Sequence, residues 1–511
     1  MSCRGRARAG GRAAGLAAAP RAALAALAAL AWPAPVAAGP PPVPPGDHPS
    51  TLPAGPSRRP PPVPPSDHPS TLPAGPPEGP DSEVASALDP GDPYDVHVSL
   101  DYRVTSRRST IEREASGAPG TDPDGPMPLV KDLVFSGTRH ELVPRVEVGV
   151  YTDLAVTLAL PVVVRDTRRL EFDQRADRCV FAASARDATC IDATNSSTVA
   201  DGLLPGTGFD ASHPGAGGAG GAAVFRGRSR AGLDQLHLGV VWAPLVQARD
   251  PSKPTWKTGA ELRLSIGSVM AFDGDRPARE SGVSRGVHEL RLYTSMARQI
   301  GRAEPTFELW WMGPIATRSG APLDDRGGAF AAEKTGAQQR VGGRFGVGVT
   351  AWQSRSRRQR VDVQLGGEIE ALFAGRAYTD MWEVFAYAGR ASGGGPLVID
   401  ADPVEPGLQA ADHPGVSNVQ DYLTLAGRLG VDAAVTDIVR VDAGLQLGWE
   451  QAHLISFADA GADGDDADDA VDPGTDEVNP FHVPIIDDPG HRYRVEGAAT
   501  LAASLGVRVL F

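Results

Sequence analysis

The sequence predicts an all-β chain: a transmembrane antiparallel β-barrel of about twelve strands, preceded by a disordered proline-rich segment. Three observations predict it. Apolar residues recur at every second position over long stretches. The links between those stretches alternate between long and short. The chain opens with the layout of an export signal, yet holds no later run of about twenty apolar residues, the length a spanning helix needs.

The leader comes first. Residues 1–38 carry Arg4, Arg6, Arg8, Arg12 and Arg21 and no acid. They are followed by AALAALAALAW (22–32) and the small-residue exit PVAAG. A basic region, a short apolar core and a cleavage point near Ala38 make a secretory signal peptide. Cys3 precedes the apolar core, so it is not placed as a lipid-anchored cysteine. Only Cys179 and Cys190 remain afterwards, eleven positions apart in DRCVFAASARDATCID with no histidine nearby. In an oxidising compartment such a pair most simply forms a local disulfide.

Residues 39–92 are expected to be a disordered periplasmic linker. PPVPPGDHPSTLPAGP (41–56) recurs as PPVPPSDHPSTLPAGP (61–76), a period of twenty residues differing only at Gly46 and Ser66. Proline at this density favours extended polyproline II and precludes a packed core.

The barrel is expected over residues 93–511. In YDVHVSLDYRVT (94–105), Tyr94, Val96, Val98, Leu100, Tyr102 and Val104 share one face. Strand side chains alternate between faces, so this is one apolar side and one polar side. The pattern returns at 142–150, 154–164, 234–244, 258–270, 287–298, 305–316, 340–352, 360–373, 421–434, 438–451 and 492–511. The short links are 151–153, 245–257, 299–304, 353–359 and 435–437. The long ones are 106–141, 165–233, 271–286, 317–339, 374–420 and 452–491. An even strand number with short turns at one end and long loops at the other is the arrangement of outer-membrane barrels. A soluble sandwich or double jelly roll would also alternate, but its strands run about five or six residues and its loops need not alternate in size. The composition, 41% hydrophobic with a mean hydropathy of −0.19, suits a barrel in which only alternate residues meet lipid. Closure is obligatory, because an open edge in hydrocarbon leaves N–H and C=O groups unsatisfied at several kcal/mol each.

The inward face on this register is charged. Candidate pore-lining residues are Arg103, Arg145, Glu147, Arg263, Glu289, Arg291, Arg344, Glu368, Arg428, Glu450, Arg494 and Arg508. Arginines and acids at i, i+2 share a face and can bridge across strands. Such a face either fills a narrow lumen with ion pairs or lines a polar pore. The outward face carries Trp242, Trp311, Trp449, Phe307, Phe345, Phe373, Tyr102 and Tyr493, several near strand ends, where aromatic girdles belong.

The final strand, ending GAATLAASLGVRVLF, places Tyr493, Val507, Val509 and the terminal Phe511 on one face. This ending resembles the C-terminal signal by which Gram-negative bacteria recognise outer-membrane barrels for assembly. It implies a barrel delivered to the outer membrane, with the barrel-assembly machinery, lipid and lipopolysaccharide as partners. RVEVGVYTDLAVTLALPVVV (145–164) is similar to hairpins of porin-like outer-membrane proteins of the MetA phenol-degradation pathway. That resemblance implies passage of small hydrophobic or aromatic compounds.

The formal charge of −14 opposes nucleic-acid binding. Acid concentrates in DAGADGDDADDAVDPGTDE (459–477). The alternation and the twelfth-position glutamate of an EF-hand are missing, since the twelfth residue is Ala470. The expectation is a solvated loop, with Asp459, Asp463 and Asp465 as candidates for a loosely bound divalent cation and no other cofactor. No GxSxG elbow, HExxH, Walker loop or cysteine cluster occurs; only Ser136, His140 and His288 could furnish a barrel hydrolase. The expected function is therefore passive passage of small solutes through a non-enzymatic porin-like channel. The rivals are a closed structural or adhesive barrel working through its loops, and a barrel hydrolase.

Overall fold

A computed structural model describes residues 84–89, 92–115, 127–213, 223–273, 282–324, 336–463 and 470–511. The expected leader, and the proline-rich stretch up to residue 83, lie outside them.

The expected strands form one antiparallel sheet closed on itself. In chain order they are β1 (Val96–Glu114), β2 (Leu129–Tyr151), β3 (Leu154–Ala159, continued as Val162–Phe172) and β4 (Gln235–Leu245). Next come β5 (Thr255–Ser265), β6 (Val287–Ala297), β7 (Ala303–Thr317) and β8 (Arg340–Ser354). The last are β9 (Gln359–Leu372), β10 (Tyr422–Ala434), β11 (Val439–Glu450) and β12 (Tyr493–Leu510). Each pairs with its neighbours in sequence, and β12 pairs with β1 from Tyr493↔Arg113 to Leu510↔His97. Phe511 completes the seam. Its N–H donates to the Val96 carbonyl at 2.9 Å, and its own carbonyl accepts from the Val96 N–H at 3.0 Å. No wall strand is left with an open edge, as hydrocarbon demands.

Leu158, Val240, Leu365, Leu429, Leu447 and Leu505 all point outward and are exposed. Leaving one such side chain in water forgoes about 1.5–3 kcal/mol. A continuous belt of them is stable only against lipid. Trp242 and Trp352 stand near the short-turn end of this belt and Trp449 near the long-loop end, all exposed.

Three strands are taller than the sequence suggests. β1 runs to Glu114, β2 starts at Leu129 and β3 reaches Phe172, so most of the expected loop 106–141 is strand. β2 has 23 residues. At about 3.3 Å per residue that is roughly 75 Å, far more than an apolar band about 25 Å tall requires. The excess stands above the belt and packs against the long loops. There lies the hydrophobic core: Ile111, Leu133, Phe135, Phe225, Phe385 and Tyr493 belong to one buried cluster. The loop after β3 carries the expected Cys179–Cys190 disulfide, with Cα atoms 5.0 Å apart.

β12 corrects two expectations. Its pairing with β1 slips between Glu496 and Ala499, at Gly497 with φ +57°. One extra residue in a period-two strand exchanges the faces beyond it. Leu501, Leu505, Val507 and Val509 keep the lipid side, but Tyr493 turns inward and is fully buried in the cap. Arg494, expected in the pore, turns outward and pairs with Glu496 at 3.1 Å. The expected linker is not wholly without strand: Ala87–Asp89 lies within it and pairs with Asp92–Tyr94, which starts at its last residue.

Candidate pore and its cap

The inward positions of five successive strands build a ladder of charges. Arg291 on β6 meets Glu308 on β7 at 2.6 Å, and Glu308 meets Arg344 on β8 at 3.5 Å. Arg344 reaches Glu368 on β9 at 3.3 Å, which reaches Arg428 on β10 at 3.5 Å. Arg263 pairs with Glu261 at 2.7 Å. Glu289 is buried, accepting from Arg285 at 2.5 Å and from the Gln235 amide at 3.0 Å. Cross-strand neighbours at 4.5–5.5 Å make such rungs geometrically natural.

The ladder covers part of the wall only. Next to it, two residues nearer the short-turn end of β8, β9 and β10 and on across β11 and β12, the inward positions are small: Gly346, Gly366, Gly430, Gly444 and Ala502 border an open space of about 340 Å3 that also touches Arg103, Arg428, Arg508, Asp101, Asp432 and Asp442. A second space of about 310 Å3 adjoins Arg145, Glu147, Arg291, Arg344 and Arg508. The inward face is therefore ion-paired at the level of the ladder and open just beside it, toward the short-turn end. Arg103, Arg145 and Arg508 have no carboxylate partner among the described residues, and the Arg145 Nε is buried without a hydrogen-bond acceptor.

At the long-loop end the lumen is capped. The loop between β9 and β10 carries helix α1 (Trp382–Ala388), whose Trp382, Glu383, Val384 and Phe385 are buried. Two ion pairs hold it. Asp380 accepts from Arg107 Nη2 on β1 at 3.0 Å and from the Ser109 hydroxyl at 2.6 Å. Arg107 also contacts Glu450 on β11, which is thus a cap anchor as much as a pore residue. Glu383 accepts from Arg230 Nη2 at 2.9 Å, with both groups almost fully buried. Gly227 permits this approach, because a Cβ there would stand 2.1 Å from the Glu383 Oε2. Burial alone would raise the Asp380 carboxyl; the Arg107 guanidinium and the Ser109 hydroxyl outweigh it and hold the group below its usual range. His413 in the same loop is pushed down to about 3 by burial and by Arg376 nearby. Asp487, in the loop before β12, is pushed up to about 6 by burial, although it accepts from the Val483 and Ala458 N–H groups. Under the cap lies a cavity of about 290 Å3 bordered by Phe135, Tyr378, Asp380, Tyr422, His453 and Ile455.

The sequence reading missed this cap. The stretch MWEVFAYA (381–388) is unusually apolar for a loop, with Met381, Trp382, Phe385 and Ala388 at helical spacing, and could have flagged it. Other candidates are scattered. His140 faces outward, its Nδ1 2.7 Å from the Tyr102 hydroxyl. Ser136 accepts from Arg169, and His288 accepts from the Ser265 N–H on the far wall, so the hydrolase trio is not assembled. Asp459 and Asp463 are exposed, while Asp465 lies outside the described residues. Among the described residues no group of three or more His, Cys, Asp or Glu is placed to hold a metal.

A closed twelve-strand cylinder with a greasy outside, a charged inside and a terminal phenylalanine at its seam defines an outer-membrane β-barrel. No protein-family model matches the chain, and no curated protein matches it. Solved structures do. The COG4313 outer membrane channel of Pseudomonas putida F1 is 11% identical with a TM-score of 0.34, over 83% of this chain and all of that one. A Pseudomonas aeruginosa FadL homologue is 8% identical at TM-score 0.29, over 82% and 90% of the two chains. The outer membrane protease OmpT of Escherichia coli is 6% identical at 0.27, over 82% and 97%. Scores this low carry no argument about function, and the assignment rests on the sheet and its two faces.

Proposed function

We propose that this protein is an outer-membrane channel for passive passage of small solutes. The observation that carries the reading is the half-open lumen. Its ladder of charges crosses β6 to β10, and the glycine-rich inward positions next to it, toward the short-turn end, leave about 340 Å3 free beside Arg103, Arg428 and Arg508. A barrel built only for stiffness would fill that wall with side chains. The charged lining favours polar or anionic solutes, and the cap over α1 sets the narrowest passage. The chain reaches its membrane through the export signal with cleavage near Ala38, and assembles through the Phe511 ending. The acidic loop at Asp459 and Asp463 faces lipopolysaccharide, where divalent cations bridge anions.

Single-channel recording in a planar bilayer tests this. A stable current is expected, and Glu308→Gln, which leaves Arg291 and Arg344 sharing one carboxylate fewer, shifts the reversal potential toward anions. A persistent absence of current in native-like lipid would favour the closed, loop-working barrel instead. The buried α1 is the specific feature on that side.

A further inference from the structure

The cavity under the cap is bordered by a carboxylate with one oxygen unfilled. Asp166, on the upper part of β3, is only 4% exposed. The pairing there shifts register between Val163 and Asp166, so Asp166, three positions on from the buried Val163, still faces inward and borders the cavity. Its Oδ2 is buried and accepts no hydrogen bond among the described residues. The guanidiniums beside it stand too far: Arg139 Nη1 is 3.9 Å from Oδ2, and Arg168 Nε is 3.7 Å from Oδ1. A buried carboxylate oxygen of this kind calls for a donor from elsewhere. Arg168 borders the same cavity, so an acceptor and a donor stand side by side on its wall.

The rest of the lining is of two kinds. Phe135, Ile455 and Tyr422 give apolar faces, and the Tyr422 ring is held flat against the His453 ring at 3.7 Å. Thr105 and Gln338 add polar groups between them. The charges leave no surplus for an anion. Arg107 is held by Asp380 and Glu450, Arg139 by Glu141 and Asp234, and Arg168 has Asp166 beside it, five carboxylates to three guanidiniums. His453 adds no cation, because burial pushes it down to about 4. A cationic ligand would have to enter among the three guanidiniums. An apolar one would fill the greasy side and leave Asp166 and Arg168 unpaired.

We propose that this cavity binds a neutral monosaccharide-sized polyol, one hydroxyl donating to Asp166 Oδ2, the next accepting from Arg168, and a C–H face lying on the apolar wall. Hydroxyls on adjacent carbons match a carboxylate and a guanidinium 3.7 Å apart. The volume of about 290 Å3 is roughly ten waters at about 30 Å3 each, which holds one such ring and not two. The inference goes beyond the channel reading and does not need it, because binding is read without current.

The test uses the full mature chain in detergent micelles. D-Glucose, D-galactose, D-mannose and myo-inositol are the neutral probes, with gluconate and phenol beside them, read by saturation-transfer NMR and calorimetry. At least one neutral probe is expected to bind in preference to gluconate and phenol. Asp166→Leu, similar in size and unable to accept, should weaken that binding roughly 10- to 100-fold, the worth of a hydrogen bond to a charged group. Thr105→Phe fills the cavity and leaves every ion pair in place; it should abolish binding while the folded band in gel electrophoresis is kept, and it decides the matter if Asp166→Leu does not fold. Preference for gluconate or phenol overturns the proposal. So does a failure of every neutral probe to bind, or binding that persists unweakened in the folded variants. A protein that binds and never conducts defeats the channel reading alone; one that conducts and binds no neutral probe keeps the channel and loses the sugar site.

Discussion

Asp380→Asn removes the charge that fastens the cap loop to β1. The Asp380 carboxylate accepts from Arg107 Nε and Nη2 at 3.0–3.3 Å and from the Ser109 hydroxyl at 2.6 Å. Removing one member of a buried ion pair costs about 3–5 kcal/mol when the other charge is stranded. Here it is not stranded, because Arg107 keeps Glu450. The loss should therefore approach that of a hydrogen bond to a charged group, about 2 kcal/mol. That figure corresponds to roughly a 30-fold shift in the docked-to-undocked ratio of the cap. Hydrogen exchange over 376–390 in lipid is the assay, with channel recording alongside. Exchange should quicken by about that factor while the β-strands keep their protection, and open-state current should grow. Unchanged protection over 376–390 would refute the view that this pair fastens the cap.

Deleting Gly497 removes the extra residue of the β12 bulge and forces Tyr493 outward and Arg494 into the cap; the folded band that resists heat in gel electrophoresis should be lost. Replacing Cys179 and Cys190 by serine removes a closure of about a dozen residues, which the chain-entropy account values at roughly 3 kcal/mol. Faster proteolysis should appear between 173 and 196, with the barrel melting point unmoved. The cap should also answer to pH in two directions. His413, held near 3, has a folded pKa below its unfolded value of about 6.5. Its contribution is whole above pH 6.5 and is lost as pH falls toward 3. Asp487, held near 6, lies above its unfolded value of about 3.9. Its contribution is whole below that value and is lost as pH rises through 6. Hydrogen exchange should therefore accelerate at 413–415 on acidification and at 484–488 on neutralisation.

The sequence by itself determined the wall. Lipid admits only apolar groups and the strand period is two, so outward positions such as Leu100, Leu158, Leu429 and Val507 announced themselves locally, and the loop lengths separated the two ends. It also marked Cys179 with Cys190. What it could not fix were arrangements that depend on distant partners. The bulge at Gly497 shows as a φ of +57° and not as a residue pattern, yet it exchanges Tyr493 with Arg494. Arg107 and Asp380 stand 273 positions apart, and Arg230 and Glu383 stand 153 apart. No local period encodes such pairs. The heights of β1 to β3 and the cap over the lumen follow from side chains meeting across the barrel, and only the closed cylinder brings those side chains together.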